Sequence, residues 1–252
     1  MKPGLIFAGD FVFMVFALVI YTQPLPTLFS CLASMGITAC RYNLNMTTNL
    51  IFYILFGYLC GSILFFDLYG RFFVHRDLAA EAADHNPGVF DAFHYGGFQA
   101  GVFVLIGDLA KGFLPVWLYL LQSLDPLNYG LGLVMAAPIL GHDFSIFTHF
   151  RGGKGITTTF GVLAALWVGG LGFWPLGTFA VLFLLFKCII LVSPNYYLTV
   201  LVYLLFPAIS FLEPIDSYIQ YGLVLISVVV VCRMALSKEV KDRLEVKLVW
   251  KH

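Results

Sequence analysis

Residues 130–159 read GLGLVMAAPILGHDFSIFTHFRGGKGITTT and join an apolar stretch to a basic, glycine-rich loop. The apolar part, residues 130–148, is close to the roughly 20 residues that a helix needs to cross a bilayer. Lipid offers the backbone no hydrogen bonds, so a stretch that crosses it must be helical. This segment therefore predicts a membrane helix that ends in a loop at the membrane boundary.

The composition of the whole chain agrees with this prediction. Hydrophobic residues make up 60% of the 252 residues and charged residues 11%, whereas soluble domains have about 45–50% and about 25%. A chain of this length cannot bury so much apolar surface in one water-soluble core. We therefore expect an all-α, polytopic transmembrane helix bundle. The formal net charge of zero points to no particular partner.

Further apolar stretches predict the other helices. They lie at residues 4–21, 48–69, 98–121, 156–170, 175–187, 196–212 and 218–234. With residues 130–148 this gives about seven to eight membrane helices. Residues 22–45 are semi-polar and contain Pro24 and Pro26, so they predict an interfacial or short helix that would raise the count by one if it inserts.

Basic residues are expected on one side of the membrane. Alternating the helices from an inside Lys2 gathers most Lys and Arg residues on that side, while Asp125, Glu213 and Asp216 lie opposite with Arg41. The basic side would hold Arg71, Arg76, Arg151, Lys154, Lys187, Arg233, Lys238, Lys241, Arg243, Lys247 and Lys251. By the positive-inside rule this is the cytoplasmic side.

The basic loop at residues 151–155 has the features of an anion site. Its three glycines allow close backbone approach and positive φ, and the helix that follows presents unpaired N–H groups at the positive end of its dipole. The predicted phosphate-binding residues are Arg151, Gly152, Gly153, Lys154, Gly155 and Thr157. The alternative is a simple glycine turn. A nucleotide P-loop is excluded, because Thr148 and Gly155 occupy its required glycine and Ser/Thr positions.

Asp108 and Lys111 lie inside the apolar stretch 98–121. Residues three apart share a helix face, so the two can pair. An ionisable residue inside a membrane helix is a functional hypothesis by default. The alternative is a neutralised pair that only orders the bundle.

A long polar segment, residues 70–97, is predicted to be a loop. Loops of more than about 12–15 residues are often functional. It contains Asp84 and His85, followed by the turn sequence Asn86-Pro87-Gly88. The chain has no His, Cys and carboxylate cluster with ligand spacing, so no metal site is expected.

Five motifs follow one another along the chain. They are Gly61-Ser62, Asn86-Pro87-Gly88, Asp108-x-x-Lys111-Gly112, Gly141-His142-x-Phe144-Ser145-x-Phe147 and Phe150-Arg151-Gly152-Gly153-Lys154-Gly155. In this order they resemble the bacterial acyl-phosphate:glycerol-3-phosphate acyltransferases, the PlsY family. The resemblance covers roughly residues 53–193 and continues in helix order to about residue 234.

The resemblance implies about seven helices, with an active site at the cytosolic face of the cell membrane. It implies transfer of a fatty acyl group from acyl phosphate to glycerol 3-phosphate, giving lysophosphatidic acid and phosphate. No metal or organic cofactor is implied; membrane lipid is the surrounding partner, and nucleic acid is not a partner. Residues 1–46 are then an N-terminal extension with one membrane helix, 47–236 the acyltransferase domain and 237–252 a basic cytosolic tail.

Residues and resemblance together predict the site. Catalytic roles are expected for Asp84, Asp108, Lys111 and His142. Substrate binding is expected for Ser62, Asn86, Gly88, Arg151, Gly152, Gly153, Lys154, Gly155, Thr157 and Ser193. The acceptor of the alcohol proton stays open among His142, His85, Asp84 and a substrate phosphate.

Departures from the family motifs motivate alternative functions. Residues 84–91 replace the family's Ser-Gly-Asn-x-Gly-Ala-Thr-Asn, Leu64 replaces a proline, and residues 237–243 match the C-terminal motif poorly. The alternatives are acyl transfer with another phosphorylated acceptor or an acyl-CoA donor, a catalytically silent lipid- or phosphate-binding membrane protein, and a transporter. Transport ranks last, because the matching repeats and broken helices of transporters are missing.

Overall fold

The computed structural model describes residues 38–75, 88–123, 126–237 and 244–249. Contacts along the chain separate two units, Met1–Phe52 and Tyr53–His252. The first unit is described only as the opening part of a helix that begins at Thr38. All that follows concerns the second unit, apart from the bounds of that helix.

The described residues form eight α-helices and a two-stranded ribbon. The helices are α1 (Thr38–Ser62), α2 (Phe65–Tyr69), α3 (Val89–Gln122), α4 (Tyr129–Asp143), α5 (Ile156–Val168), α6 (Trp174–Leu184), α7 (Asn195–Ser210) and α8 (Ser217–Leu236). Short π-helical turns cover Gly70–Val74 and Leu185–Ile189, and a 3-10 turn covers Ile146–Thr148. Strand β1 (Ile190–Ser193) pairs antiparallel with β2 (Glu245–Leu248), Ser193 lying opposite Glu245.

The predicted helix bundle is confirmed. Helices occupy the predicted stretches from residue 130 to residue 234, and α5 and α6 form the expected pair around a glycine-rich break. The stretch 4–21 lies outside the described residues, and the semi-polar segment 22–45 is described only from Thr38, where it is helical.

Three described segments are long and apolar enough to cross a membrane, namely Val89–Gln122, Tyr129–Thr148 and Ser217–Leu236. The bent pair Thr48–Ser62 and Phe65–Val74 would make a fourth. The apolar helices between residues 156 and 210 are shorter than 18 residues, so at about 1.5 Å per residue each falls short of the ~30 Å hydrocarbon layer. The count of seven to eight membrane helices stays a prediction.

The helix expected over residues 48–69 is not continuous. It breaks between α1 and α2, which meet at a bend of 49°, and Leu64 is extended with φ −90° and ψ 102°. The carbonyl oxygen of Ser62 accepts a hydrogen bond from Ser145 Oγ at 2.6 Å, and that of Ile63 accepts one from Lys111 Nζ at 2.8 Å. In a continuous helix, these two carbonyls would accept hydrogen bonds from backbone N–H groups. Side chains from distant segments donate to them instead.

The predicted loop over residues 70–97 is wrong at both ends. Residues 70–74 form a π-helical turn, and α3 begins at Val89, with a break at Gly97 (φ 80°, ψ −175°). Ala92 is fully buried in a cluster with Phe66, Ala100 and Val104. This burial stabilises the start of α3 as a helix, although the polar residues around it are typical of a loop. Residues 76–87 lie outside the described residues.

Close helix contacts hold α4 in place. A Cβ built on Gly61 of α1 would lie 2.0 Å from the Pro138 carbonyl oxygen, and one on Gly141 would lie 2.1 Å from the Tyr58 carbonyl oxygen. On another side, a Cβ on Gly132 would come within 3.0 Å of the Gly222 nitrogen of α8. The end of α4, where the glycine-rich loop begins, is therefore fixed between α1 and α8.

Candidate active site

The glycine-rich loop of residues 151–155 turns the chain from α4 into α5. Gly155 is the N-cap of α5 and has the left-handed conformation, with φ +65°. The Gly155 carbonyl accepts the first helical bond, from Thr159 N at 2.8 Å. The N–H groups of the first turn therefore point out of the helix toward the loop, at the positive end of the dipole. This is the geometry predicted for an anion site.

Two glycines let the loop fold tightly over the end of α4. A Cβ on Gly152 would lie 1.8 Å from the His142 carbonyl oxygen, and Gly153 N donates to the same oxygen at 3.1 Å. A Cβ on Gly155 would lie 2.9 Å from Asp143 Oδ1. Larger residues at 152 or 155 would push the loop away from His142 and Asp143.

The approach to the loop is a compact turn around Ser145. Phe150 N donates to the Ser145 carbonyl oxygen at 2.8 Å, and the Thr148 hydroxyl donates to the Arg151 carbonyl. His149 and Phe150 both have positive φ, 55° and 59°, a conformation that costs L-residues roughly 1–2 kcal/mol each. Because Ser145 Oγ also bonds Ser62, the turn is tied to the break between α1 and α2.

Asp108 and Lys111 form the predicted pair. Lys111 Nζ lies 2.7 Å from Asp108 Oδ1, and both side chains are almost fully buried. Gly112 brings α3 against α5, since a Cβ there would lie 2.2 Å from the Thr158 carbonyl oxygen. Through its bond to Ile63, Lys111 connects α3 to the same break that Ser145 reaches.

Buried polar atoms without partners gather beside the loop. Within the described part of the chain, His142 Nδ1, both carboxylate oxygens of Asp143, and Thr158 Oγ1 make no hydrogen bond, although their residues are at most 4% exposed. Buried polar groups are nearly always hydrogen-bonded, so such groups call for an explanation. Their position at the end of α4 and the start of α5 suits groups that meet a ligand.

Arg233 near the end of α8 completes the site. Arg233 Nη2 donates to the Gly152 carbonyl oxygen at 2.8 Å, so the last helix also holds the loop. Its charge acts on both His142 and Asp143. Sequence reasoning assigned Arg233 only to the basic side of the membrane, because no local pattern links residues that lie 81 apart.

Asp143 was also missed, although a signal was available. It is an acidic residue in an apolar stretch, next to His142, and the argument applied to Asp108 applies equally to it. The structure places it at the end of α4 with 0% exposure. The site therefore contains two buried carboxylates, Asp108 and Asp143, and the two cations Lys111 and Arg233.

Several predicted site residues lie together, and others lie elsewhere. Ser62 is buried at the break and donates to the Tyr58 carbonyl oxygen at 2.9 Å. Of the loop cations, Arg151 is exposed and Lys154 is half-buried, and Thr157 is half-buried on the first turn of α5.

The other predicted residues are not linked to this cluster by the described contacts. Gly88 begins α3 in an extended conformation. Ser193 is exposed at the end of β1, and its described pairing is with Glu245 of β2. Asp84 and Asn86 lie outside the described residues, so their predicted roles stay predictions.

Comparison with known proteins identifies the family of the chain. A family model described as glycerol-3-phosphate acyltransferase matches residues 51–242. The chain belongs to this family. The match begins within α1 and extends beyond α8, so the glycerol-3-phosphate acyltransferase family accounts for every helix of the site.

Curated relatives carry the same family name. The chain is 41% identical over 121 residues to a glycerol-3-phosphate acyltransferase of Proteus mirabilis (strain HI4320), covering 48% of this chain and 54% of that protein. It is also 41% identical over 121 residues to one of Serratia proteamaculans (strain 568), covering 48% and 56%. The one of Yersinia pestis (strain Pestoides F) is 42% identical over 113 residues, covering 45% and 51%. The chain thus spans about half the length of the curated relatives it matches.

Two solved structures share the fold. Both are crystal structures of PlsY, an integral membrane glycerol 3-phosphate acyltransferase, one in a glycerol 3-phosphate form and one in a lysophosphatidic acid form. The first has a TM-score of 0.60 at 23% identity and covers 74% of this chain and 88% of that chain. The second has a TM-score of 0.58 at 23% identity, covering 73% and 87%. With its several apolar helices, this member of the family is a membrane protein.

Proposed function

We propose that this protein transfers a fatty acyl group from acyl phosphate to glycerol 3-phosphate, forming lysophosphatidic acid and inorganic phosphate. Family membership supports the reaction class, and the names of the relatives supply the acceptor. The observation that carries the proposal is the glycine-rich loop, whose N-cap glycine opens the N-terminus of α5 beside the buried Lys111 and the half-buried Arg233.

The chemistry fits a site that binds phosphate groups. An acyl phosphate is an activated mixed anhydride, so a positioned alcohol can attack it directly without a protein nucleophile. The site must hold the two substrates with reacting atoms about 3–3.5 Å apart. It must also stabilise the departing phosphate, which suits the first-turn N–H groups of α5 together with Lys154 and Arg151.

Lys111 and Asp108 support this pocket from α3. The charge of Lys111 is largely balanced by Asp108 at 2.7 Å, and Lys111 Nζ also donates to the Ile63 carbonyl oxygen. The first role of Lys111 is therefore structural: it shapes the wall of the pocket next to Ser62. Its remaining N–H directions stay available for an acceptor oxygen. His142 and Ser62 would line the same wall. The roles predicted for Asp84, Asn86, Gly88 and Ser193 remain part of the proposal.

The proposal includes a location. The loop and Arg233 would face the cytoplasm at the boundary of the cell membrane, as the positive-inside rule favours. The acyl chain would lie between helices, with residues 47–236 acting as the acyltransferase domain between an N-terminal extension and a basic tail. A fatty substrate explains why the reaction would be carried out by a membrane protein.

Acyl transfer by the purified protein in lipid is the direct test. Palmitoyl phosphate and labelled glycerol 3-phosphate are supplied, with palmitoyl-CoA as a parallel donor and Lys154→Ala as the loop variant. We expect lysophosphatidic acid from palmitoyl phosphate, and a raised KM for one substrate in Lys154→Ala. Leu184→Ala, a change at an exposed apolar side chain of α6, serves as the matched control.

The other outcomes separate the alternatives. Product from palmitoyl-CoA alone would change the donor, and product only with another phosphorylated alcohol from a panel would change the acceptor. Folded protein that makes no product with any pair would contradict the enzymatic proposal. Unchanged KM values for both substrates in Lys154→Ala would remove Lys154 from the phosphate site.

A further inference from the structure

Three large apolar side chains are exposed on the turn that leads into the glycine-rich loop. Ile146 is 49% exposed, Phe147 46% and Phe150 61%. The first two lie in the 3-10 turn after α4, and they also belong to Tyr129–Thr148, a segment long and apolar enough to cross a membrane. The turn therefore lies where this segment would leave the membrane.

The backbone of the turn is held in a costly conformation. Phe150 has a positive φ of 59°, which is a genuine outlier for a bulky residue. Such strain persists only where the surrounding structure imposes it, and it is concentrated at functional sites. Here hydrogen bonds impose it, because Phe150 N donates to the Ser145 carbonyl oxygen at 2.8 Å and the Thr148 hydroxyl donates to the Arg151 carbonyl. The polar groups of the turn bond within the protein, and its apolar side chains form the outer surface.

The charges next to the turn suit a lipid surface. Arg151 directly follows Phe150 and is exposed, and residues 144–155 contain no Asp or Glu. Segments that lie in a membrane interface combine two kinds of side chain: apolar ones, which enter the boundary between headgroups and acyl chains, and basic ones, which attract anionic lipids. This stretch has both kinds side by side.

We propose that Ile146, Phe147 and Phe150 insert into the lipid leaflet and hold the glycine-rich loop at the depth of the lipid headgroups. The use of this anchor rests on the proposed acyl transfer. A fatty acyl phosphate dissolved in the leaflet has its chain among the lipid tails and its phosphate among the headgroups. A loop held at that depth meets the phosphate while the chain stays in the bilayer, which avoids the unfavourable exposure of the chain to water.

Quenching of tryptophan fluorescence by brominated lipids tests the insertion without relying on activity. Phe150→Trp is made in the full chain with its four native tryptophans replaced by Phe. The protein is placed in bilayers of phosphatidylcholine and phosphatidylglycerol, with bromine near the glycerol end of the acyl chains. Ile106→Trp is the matched control, because Ile106 is exposed on α3 within a candidate membrane span.

We expect the brominated lipids to quench Phe150→Trp about as strongly as Ile106→Trp, and aqueous iodide to quench neither. Quenching of Phe150→Trp by iodide but not by bromine would place the turn in water. Quenching by neither reagent would mean that protein covers the turn, such as a second copy of this chain. Either result would overturn the proposal.

The chain length of the donor tests what the anchor is used for. In the double variant Ile146→Ser, Phe147→Ser we expect KM for palmitoyl phosphate in bilayers to rise several-fold. KM for octanoyl phosphate, which is far more soluble in water, should change little. Leu184→Ser, at an exposed apolar position of α6, is the control and should leave both KM values unchanged.

Two results would contradict this use of the anchor. An equal rise of KM for both donors would mean that the substitutions damage the loop itself, and an unchanged KM for palmitoyl phosphate would mean that the anchor does not serve the donor. If the wild-type protein makes no acyl product while brominated lipids quench Phe150→Trp, the proposed function fails and the insertion stands.

Discussion

At the scale of single residues, the site is organised by buried charge. Lys111 is paired with Asp108 at 2.7 Å, whereas Asp143 and Arg233 interact through their charges without a direct ion pair among the described residues. All but Arg233 are at most 4% exposed. Removing one member of a close buried pair leaves an uncompensated charge, which usually costs more than the pair itself contributes.

Lys111→Met should therefore be strongly destabilising. It leaves the Asp108 carboxylate unpaired and removes the hydrogen bond to the Ile63 carbonyl, so we expect a loss of about 3–5 kcal/mol in unfolding free energy. Asp108→Asn in the same chain should recover part of the loss. Denaturant unfolding of both single variants and the double variant measures the coupling. Additive losses would mean that the pair contributes nothing as a pair.

Gly152→Ala should disrupt the loop. Its Cβ would lie 1.8 Å from the His142 carbonyl oxygen, a backbone atom that cannot rotate away. Because a misplacement of about 1 Å can cost about 10²-fold in rate, we expect kcat/KM to fall by at least that factor. Val168→Ala, a change at an exposed side chain at the far end of α5, is the control. Equal losses in both variants would contradict the steric explanation.

At the scale of the elements, glycines at helix crossings bring backbones into contact. Small residues do the same in other membrane bundles, where close packing replaces the hydrophobic effect. A Cβ on Gly161 of α5 would lie 2.1 Å from the Leu109 carbonyl oxygen of α3, and Gly112 makes the reciprocal contact with Thr158. The start of α5, and with it the loop, is therefore set by the α3–α5 crossing.

Gly112→Ala should move α5 away from α3 and weaken activity without touching the loop. We expect a lower unfolding temperature and a reduced kcat/KM, with Gly161→Ala behaving alike because it lies at the same crossing. Ile106→Ala, a change at an exposed side chain of α3, is the control for introducing alanine into this helix. Thermal unfolding in detergent and acyl-transfer rates measure both effects. Full activity in Gly112→Ala would mean that the crossing tolerates separation.

The sequence predicts a helix correctly where the length of an uninterrupted apolar stretch is enough to determine it. The stretches predicted at 196–212 and 218–234 match α7 and α8 within a few residues. The break after Ser62 could not be predicted, because its carbonyls are satisfied by Ser145 and Lys111 from distant segments. Strand β2 was missed, although the alternation of apolar and polar residues from 244 to 248 is typical of a strand.

At the scale of the whole molecule, the site joins segments far apart in sequence. Local motifs identified the glycine-rich loop and the Asp108–Lys111 pair, since each lies within a few residues. Arg233 could not be found this way, because its contact with Gly152 depends on how α8 packs beside α4. Local chemistry was thus predictable, and the long-range contacts that hold it together were not.

The orientation of the molecule gives the last prediction. With the loop on the cytoplasmic side, the turn between α7 and α8 lies on the opposite side. In a chain lacking its five cysteines, single cysteines at the exposed positions His149 and Leu212 mark the two sides.

In bacterial spheroplasts, a membrane-impermeant maleimide should label Leu212→Cys at once and His149→Cys only after lysis, because positively charged loops are retained in the cytoplasm. Both variants should react fully in detergent, which controls for local accessibility. Labelling of His149→Cys in intact spheroplasts would place the loop outside. The proposed cytoplasmic position of the loop would then be wrong.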